Sequence, residues 1–138
     1  MITLINKNFN KNTIEYSRFI DSHDFTNYSC PSCGAVGSLR KHGYYKRKIK
    51  INGIILTFLV LRVKCKHCGK THAVLPSFVV PYLLTSVDDA VAIIHDQMDI
   101  SKCYSTKRLI QSIYNHWIDR ILSINRYEIY KKVYNIYK

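Results

Sequence analysis

The chain has 138 residues, 47 % of them hydrophobic, and carries 21 Lys and Arg against 9 Asp and Glu, a net charge of +12. That is about one domain by the usual span of roughly 100–200 residues, too short for a large multidomain enzyme and too apolar for wholesale disorder. No stretch of about 18 apolar residues argues for a membrane span, and residues 1–7 lack the basic and apolar regions of a secretory signal. A cytoplasmic, reducing setting is therefore expected, where five cysteines favour metal over disulfides.

The charge is unevenly placed. Residues 1–29 are neutral overall, residues 30–85 carry ten basic residues and no acidic one, residues 86–100 sum to −4 and residues 101–138 to +6. An AT-rich genome produces a chain rich in Ile, Lys, Asn and Tyr without selection, but that bias spreads lysines evenly. A long stretch with no carboxylate reads instead as an electrostatic footprint for a polyanion, most often nucleic acid.

Residues 1–29 form an N-terminal segment expected to pack on the unit formed by residues 30–85. Residues 2–5 suit a short strand, and Ile14, Phe19, Ile20 and Phe25 suit an apolar cover. Residues 30–85 are the clearest unit. Cys30-Pro31-Ser32-Cys33-Gly34 opens it and Cys65-Lys66-His67-Cys68-Gly69 recurs later, with Ile51-Asn52-Gly53-Ile54 between them. Asn-Gly between apolar residues marks a two-residue hairpin turn, because a type I′ turn needs positive φ at both corners. Ile51 then opposes Ile54, Ile49 meets Leu56, Arg47 meets Phe58 and Tyr45 meets Val60. The side-chain period of two puts these on a mainly apolar face and leaves Lys46, Lys48 and Lys50 on the other. The same register carries Arg40 opposite Cys65 unless Gly43 interrupts the ladder as a bulge. Residues 71–75 suit a strand, and Pro76 and Pro81 bracket an extended connector.

Residues 86–138 read as helical. Ser86 is placed to cap a helix with Asp88 and Asp89 in its first turn, where they favour the positive end of the dipole. Val91, Ile94 and Met98 would form its stripe. After a break at residues 99–104, Ser105 or Thr106 can cap a longer helix striped by Ile110, Ile113, Trp117, Ile121 and Ile124, with Trp117 in the core. Residues 126–138 continue helical after a bend near Asn125, with Tyr127, Tyr130, Tyr134 and Tyr137 aligned.

Two C-x-x-C loops flanking a hairpin point to one tetrahedral metal site built from Cys30, Cys33, Cys65 and Cys68. Zinc is the expected ion, a single structural Zn2+, because four protein thiolates leave no position for an activated water. Four cysteines also suit iron, which the spacing does not exclude. His67 and His72 lie beside a site already closed, so both are expected outside the ligand set. Cys103 stands apart as a buried thiol. The fold class is thus α+β, a four-cysteine zinc ribbon (an antiparallel β-hairpin with two zinc knuckles) followed by a small helical unit. The ribbon is too small to fold on its own core, and metal supplies the remainder.

The two cysteine loops, the basic hairpin, Lys70-Thr71-His72 and then Leu75-Pro76-Ser77-Phe78 and Pro81-Tyr82 resemble a bacterial zinc-ribbon family associated with transposases. The likeness covers roughly residues 28–95. It implies a DNA-binding module like the N-terminal region of transposases, followed by a helix-turn-helix-like unit. Ser105-Thr106-Lys107-Arg108 would then open the recognition helix, although no short second helix is evident between Met98 and Ser105. A transposase also needs a carboxylate trio, and Asp88, Asp89, Asp96 and Asp99 are too local to supply it.

The expected function is therefore non-catalytic DNA binding, as a stand-alone or accessory protein of a mobile element or a transposase remnant. Arg40, Lys41, Lys46, Lys48 and Lys50 would contact phosphates, Tyr44 and Tyr45 would stack or pack, and Lys107 and Arg108 would reach a groove. No nucleophile–base pair, phosphate loop or open metal site suggests an enzyme. Two other readings compete. One is an RNA-binding module. The other is a protein–protein adaptor that docks a transposase partner or a second copy through its C-terminal helices.

Overall fold

The structure is a computed structural model that describes residues 1–4, 9, 12–95 and 107–119. The architecture is α+β. Strand β1 (Ile2–Leu4) is followed by helix α1 (Thr13–Ser22), strands β2 (Leu39–Ile51), β3 (Ile54–Cys65) and β4 (Thr71–Pro76), and helix α2 (Val87–Ile94). A further helix, α3, covers residues 107–119. The sheet order is β1-β4-β3-β2, with β1 parallel to β4 and the other pairs antiparallel. The N-terminal strand therefore extends the sheet beyond the hairpin's partner strand.

The hairpin turns at Asn52 (φ 49°) and Gly53 (φ 83°), the two positive values that a type I′ turn demands. Pairing follows the expected register from Ile51↔Ile54 through Tyr45↔Val60 to Gly43↔Arg62. Beyond that point His42 is an extra residue on β2, a bulge between Lys41 and Gly43, so Leu39 and not Arg40 lies across from Cys65. The correction has a physical reason. A bulge sets two residues against one and exchanges the sides on which later residues fall, which puts Leu39 at 0 % exposure beside the sulfurs and leaves Arg40 in solvent.

The apolar and lysine faces also do not run the whole length of the hairpin. One face holds Lys46, Lys48 and Lys50 against Leu59, Thr57 and Ile55, and continues through Leu61, Val63 and Cys65 with Lys41 and Leu39. It is exposed near the turn, while near the cysteines it buries Leu39, Leu61, Val63 and Cys65 and leaves Lys41 in solvent. The other face buries Ile49, Phe58 and Val60 near the turn and exposes Arg40, Arg62 and Lys64 near the cysteines. Val60 and Leu61, neighbours pointing to opposite faces, are both fully buried where the exchange occurs. A strongly twisted hairpin can bury different faces at its two ends because other elements cover each end separately.

Helix α1 covers the cysteine end. The Asn12 side chain caps it, accepting from Ile14 N at 2.9 Å and Glu15 N at 3.4 Å, which satisfies amides that have no partner in the first turn. Tyr16 and Ile20, one turn apart, point inward, while Phe25 is buried beyond the helix. Ile14, expected in this cover, is instead 61 % exposed. Strands β3 and β4 pair only from Arg62↔Ala73 to Lys64↔Thr71. Where they part, the Tyr16 hydroxyl donates to Val74 O at 2.7 Å and accepts from Leu61 N at 3.4 Å. One phenol thus fills the place of the next ladder bond. Its ring meets Phe9 and Phe58 edge-on, with centroids 5.6 and 5.7 Å away.

The connector after β4 is not extended. Val79 N–H donates to Pro76 O at 3.1 Å, Val79 bridges back to Ser86, and Thr85 pairs with Lys50 of β2. Helix α2 starts as expected, with the Ser86 side chain accepting from Asp89 N at 3.1 Å. Its inward residues are Ala90 and Ile93, whereas Val91 and Ile94 are half-buried. Ala90 and Ile93 join Val80, Ile110 and Trp117 in a second core cluster, so Trp117 is a core residue. Ile5, Asp96, Met98, Asp99, Cys103, Ser105, Thr106, Ile121, Ile124 and the region of Asn125 and the aligned tyrosines lie outside the described residues.

Candidate metal centre and basic face

The two cysteine loops are built alike. The Cys30 carbonyl accepts from Gly34 N at 2.9 Å while Cys30 N–H donates to Ala35 O at 3.0 Å. The Cys65 carbonyl accepts from Gly69 N at 3.0 Å and Cys65 N–H donates to Lys70 O at 2.9 Å. Each loop closes on a glycine at positive φ, 73° at Gly34 and 72° at Gly69, a conformation strained for any residue with a Cβ. A bond from Lys66 N to Ser38 O at 2.8 Å ties the second loop to the approach of β2.

The result brings Cys30, Cys33, Cys65 and Cys68 together, with all four sulfurs within 4.8 Å of one another. Cys30 Sγ lies 3.7 Å from Cys68 Sγ, and Cys33 Sγ lies 3.8 Å from Cys65 Sγ. A tetrahedron with metal–sulfur bonds of about 2.3 Å has edges of about 3.8 Å, so the donor set and its spacing fit a four-coordinate metal ion. Cys30 and Cys65 are buried and Cys33 is exposed, which places the centre at the rim of the sheet. Each loop contributes one buried and one more accessible ligand.

The polar surroundings favour thiolates unevenly. The Ser38 hydroxyl, 3.2 Å from Cys65 Sγ, and the Cys68 N–H bring the Cys65 thiol down to about 6. Desolvation opposes ionisation of Cys30, yet the N–H groups of Ser32 and Cys33 hold it below its ordinary value. At Cys33 the Ala35 N–H favours the thiolate, but desolvation and the neighbouring thiols push it up to about 12. Four thiolates this close repel one another, and a divalent cation among them relieves that repulsion.

The two histidines part company. His67 is exposed in its loop. His72, on β4, is buried with Nε2 3.4 Å from Cys30 Sγ and Nδ1 3.3 Å from the Met1 amino group. A neutral ring protonated at Nε2 satisfies both neighbours, donating to the sulfur and accepting from the ammonium. Sequence reasoning placed His72 outside the ligands but had no signal for this contact. Ser38 and Tyr16 were missed as well. A regular spacing of four, from the Asn12 cap through Tyr16 to Ile20, was the available clue for Tyr16.

The expected phosphate contacts separate into groups. Arg40 donates through Nη1 to Gly37 O at 3.0 Å and Leu39 O at 2.9 Å, bracing the first loop. Lys41 Nζ donates to Asp21 O at 2.6 Å, and the Tyr44 hydroxyl donates to Asp21 Oδ1 at 2.9 Å. Lys46, Lys48 and Lys50 stand in a row on one exposed face. Arg62 and Lys64 are exposed on the opposite face, with the Arg62 guanidinium 5.9 Å above the Tyr45 ring. On α3, Arg108 is exposed and Lys107 half-buried.

The chain belongs to the family DUF6431, described as a domain of unknown function, whose profile matches residues 30–117. The matched region takes in both cysteine loops, the hairpin, β4, α2 and most of α3. No curated protein and no solved structure matches the chain. Among the described residues, no helix is long and apolar enough to cross a membrane.

Proposed function

We propose that the chain is a zinc-ribbon DNA-binding protein, related to the N-terminal region of bacterial transposases and non-catalytic by itself. The observation that carries this reading is the row of Lys46, Lys48 and Lys50 on the exposed half of the hairpin, within a 30–85 segment that has no acidic residue. Same-face residues on a strand recur about every 6.6–6.8 Å, so the lysines offer a regular line of cations to a phosphate backbone. Zinc, when bound, supplies a fixed cross-link between the two cysteine loops. The protein's own residues do the rest: Leu39 and Val63 seat the sulfurs, Arg40 braces the first loop, and the hairpin holds the lysines in line. Arg108 on α3 adds a second cationic point.

Exposed Ile55 and Leu59, at 65 and 46 %, favour the adaptor as the second reading, because they lie across from Lys50 and Lys46. Salt separates the two. Anisotropy titrations of the zinc-loaded chain with mixed-sequence duplex DNA, across a salt series, should show tight binding at low salt and a steep loss as salt rises. A Lys46→Gln/Lys48→Gln/Lys50→Gln variant should lower the log–log slope by about 2–3, at roughly 0.9 per phosphate contact. Negligible binding at low salt would remove the DNA reading and leave the adaptor. Stronger binding to RNA in the same series would redirect the proposal to an RNA module.

A further inference from the structure

The loop between β4 and α2 breaks a rule of turn chemistry. Residues 80–83 close a turn in which Leu83 N–H donates to Val80 O at 3.4 Å. Pro81 occupies the first corner and fixes φ near −65°, while Tyr82 at the second corner has φ 65°. This is type II geometry, whose second corner favours glycine or asparagine because a larger residue is strained there. The tyrosine gains no packing in return. Its ring is 87 % exposed, more than any other large hydrophobic among the described residues.

The rest of the molecule holds this turn in place. Arg47 reaches from β2 and donates through Nη2 to Val80 O at 2.8 Å and to Leu83 O at 3.0 Å. Lys50 N–H donates to Leu84 O at 2.5 Å, and Ser86 N–H donates to Lys50 O at 3.2 Å. The strand that carries the lysine row thus clamps the turn on both sides of Tyr82. Strain that persists at an exposed side chain, held by neighbours that over-determine it, points to use of that side chain.

We propose that Tyr82 is a stacking residue for an unpaired nucleobase, with Lys48 and Lys50 of the adjoining strand holding the flanking phosphates. The inference rests on the nucleic-acid reading above and narrows it to single-stranded or unstacked DNA. A ring projecting from a loop meets the flat face of a base only when that base has left the duplex stack. The charge of the adjoining strand chooses the ligand: β2 carries Lys46, Lys48 and Lys50, and residues 30–85 hold no acidic residue, a setting that repels a basic peptide and attracts a polyphosphate chain, whose bases are planar and stack on any aromatic face.

The test compares a mixed-sequence single strand containing 2-aminopurine with its duplex, titrated with the zinc-loaded full chain. Wild type should favour the single strand and quench the probe. Tyr82→Phe should do the same. Tyr82→Ala and Tyr82→Gly should bind the single strand about tenfold more weakly with the salt slope unchanged, since no phosphate contact is lost. Tyr82→Gly relieves the turn, so its thermal midpoint should not fall, which separates lost stacking from lost folding. Undiminished binding and quenching by Tyr82→Ala would overturn the stacking role and leave the lysine row standing. Failure of wild type to bind either DNA form at low salt would overturn the nucleic-acid reading and this inference with it.

Discussion

Tyr16 shows how much can hang on one hydroxyl. Its oxygen serves both Leu61 N–H and Val74 C=O at the point where β3 and β4 diverge, and all three residues are fully buried. Tyr16→Phe keeps the ring contacts but leaves two backbone groups in the core without a partner, at an expected cost of about 1–3 kcal/mol. Urea unfolding should show a lower midpoint at unchanged slope. Burial raises the pKa of this hydroxyl well above the ordinary 10.0, while the Leu61 N–H pulls the other way. A raised folded-state value means that the unfolded chain ionises first. The associated stability is therefore complete below pH 10.0 and declines above it, and Tyr16→Phe should abolish that alkaline decline. His72 plays a comparable part at the sulfurs. Removing its bond to Cys30, 3.4 Å long, by His72→Ala should weaken metal binding by about 10–100-fold in chelator competition. His67→Ala, at an exposed position, should leave it unchanged. Equal affinities for the two variants would show that the buried ring contributes nothing to the centre.

At the scale of elements, the bulge at His42 decides what surrounds the metal ligands. Deleting His42 would remove the extra residue and leave Lys41 across from Val63 and Leu39 across from Cys65, now in an unbroken ladder. Metal content after dialysis should then stay near one ion per chain, and a content well below one would show that the cysteine loops depend on the bulge itself and not only on the pairing beyond it. This element also marks the limit of what the sequence made legible. The turn, the cross-strand register from Ile51↔Ile54 to Tyr45↔Val60 and the gathering of the four cysteines followed from local chemistry, namely the φ demands of Asn52-Gly53 and the spacing of the cysteines. The bulge was visible only as a glycine out of place. The exchange of buried faces was not legible, because it depends on α1 covering one end of the hairpin and residues 79–86 the other. Tyr16 was hidden for the same reason: its partners lie 45 and 58 residues away. Asp88 and Asp89 at the start of α2 were legible because a helix cap is local, while the choice of Ala90 and Ile93 over Val91 and Ile94 reflects tertiary contact with Trp117.

For the molecule as a whole, the hairpin and the cysteine loops imply an order of events in time. The type I′ turn lies at one end of β2 and β3, and the sulfurs lie at the other, with Cys33 and Cys65 separated by 32 positions and Cys30 and Cys68 by 38. Contacts close in sequence form before distant ones, because closing a long loop costs entropy before any contact rewards it. The strands should therefore zip from Asn52-Gly53 outward and bring the ligands together last. An ion that joins only the finished end stabilises the native state more than the transition state, so it acts on the rate of opening. Stopped-flow measurements with and without zinc should give the same refolding arm and a much slower unfolding arm for the loaded protein. Zinc would then act as a latch, lengthening the lifetime of a shape that the turn has already chosen.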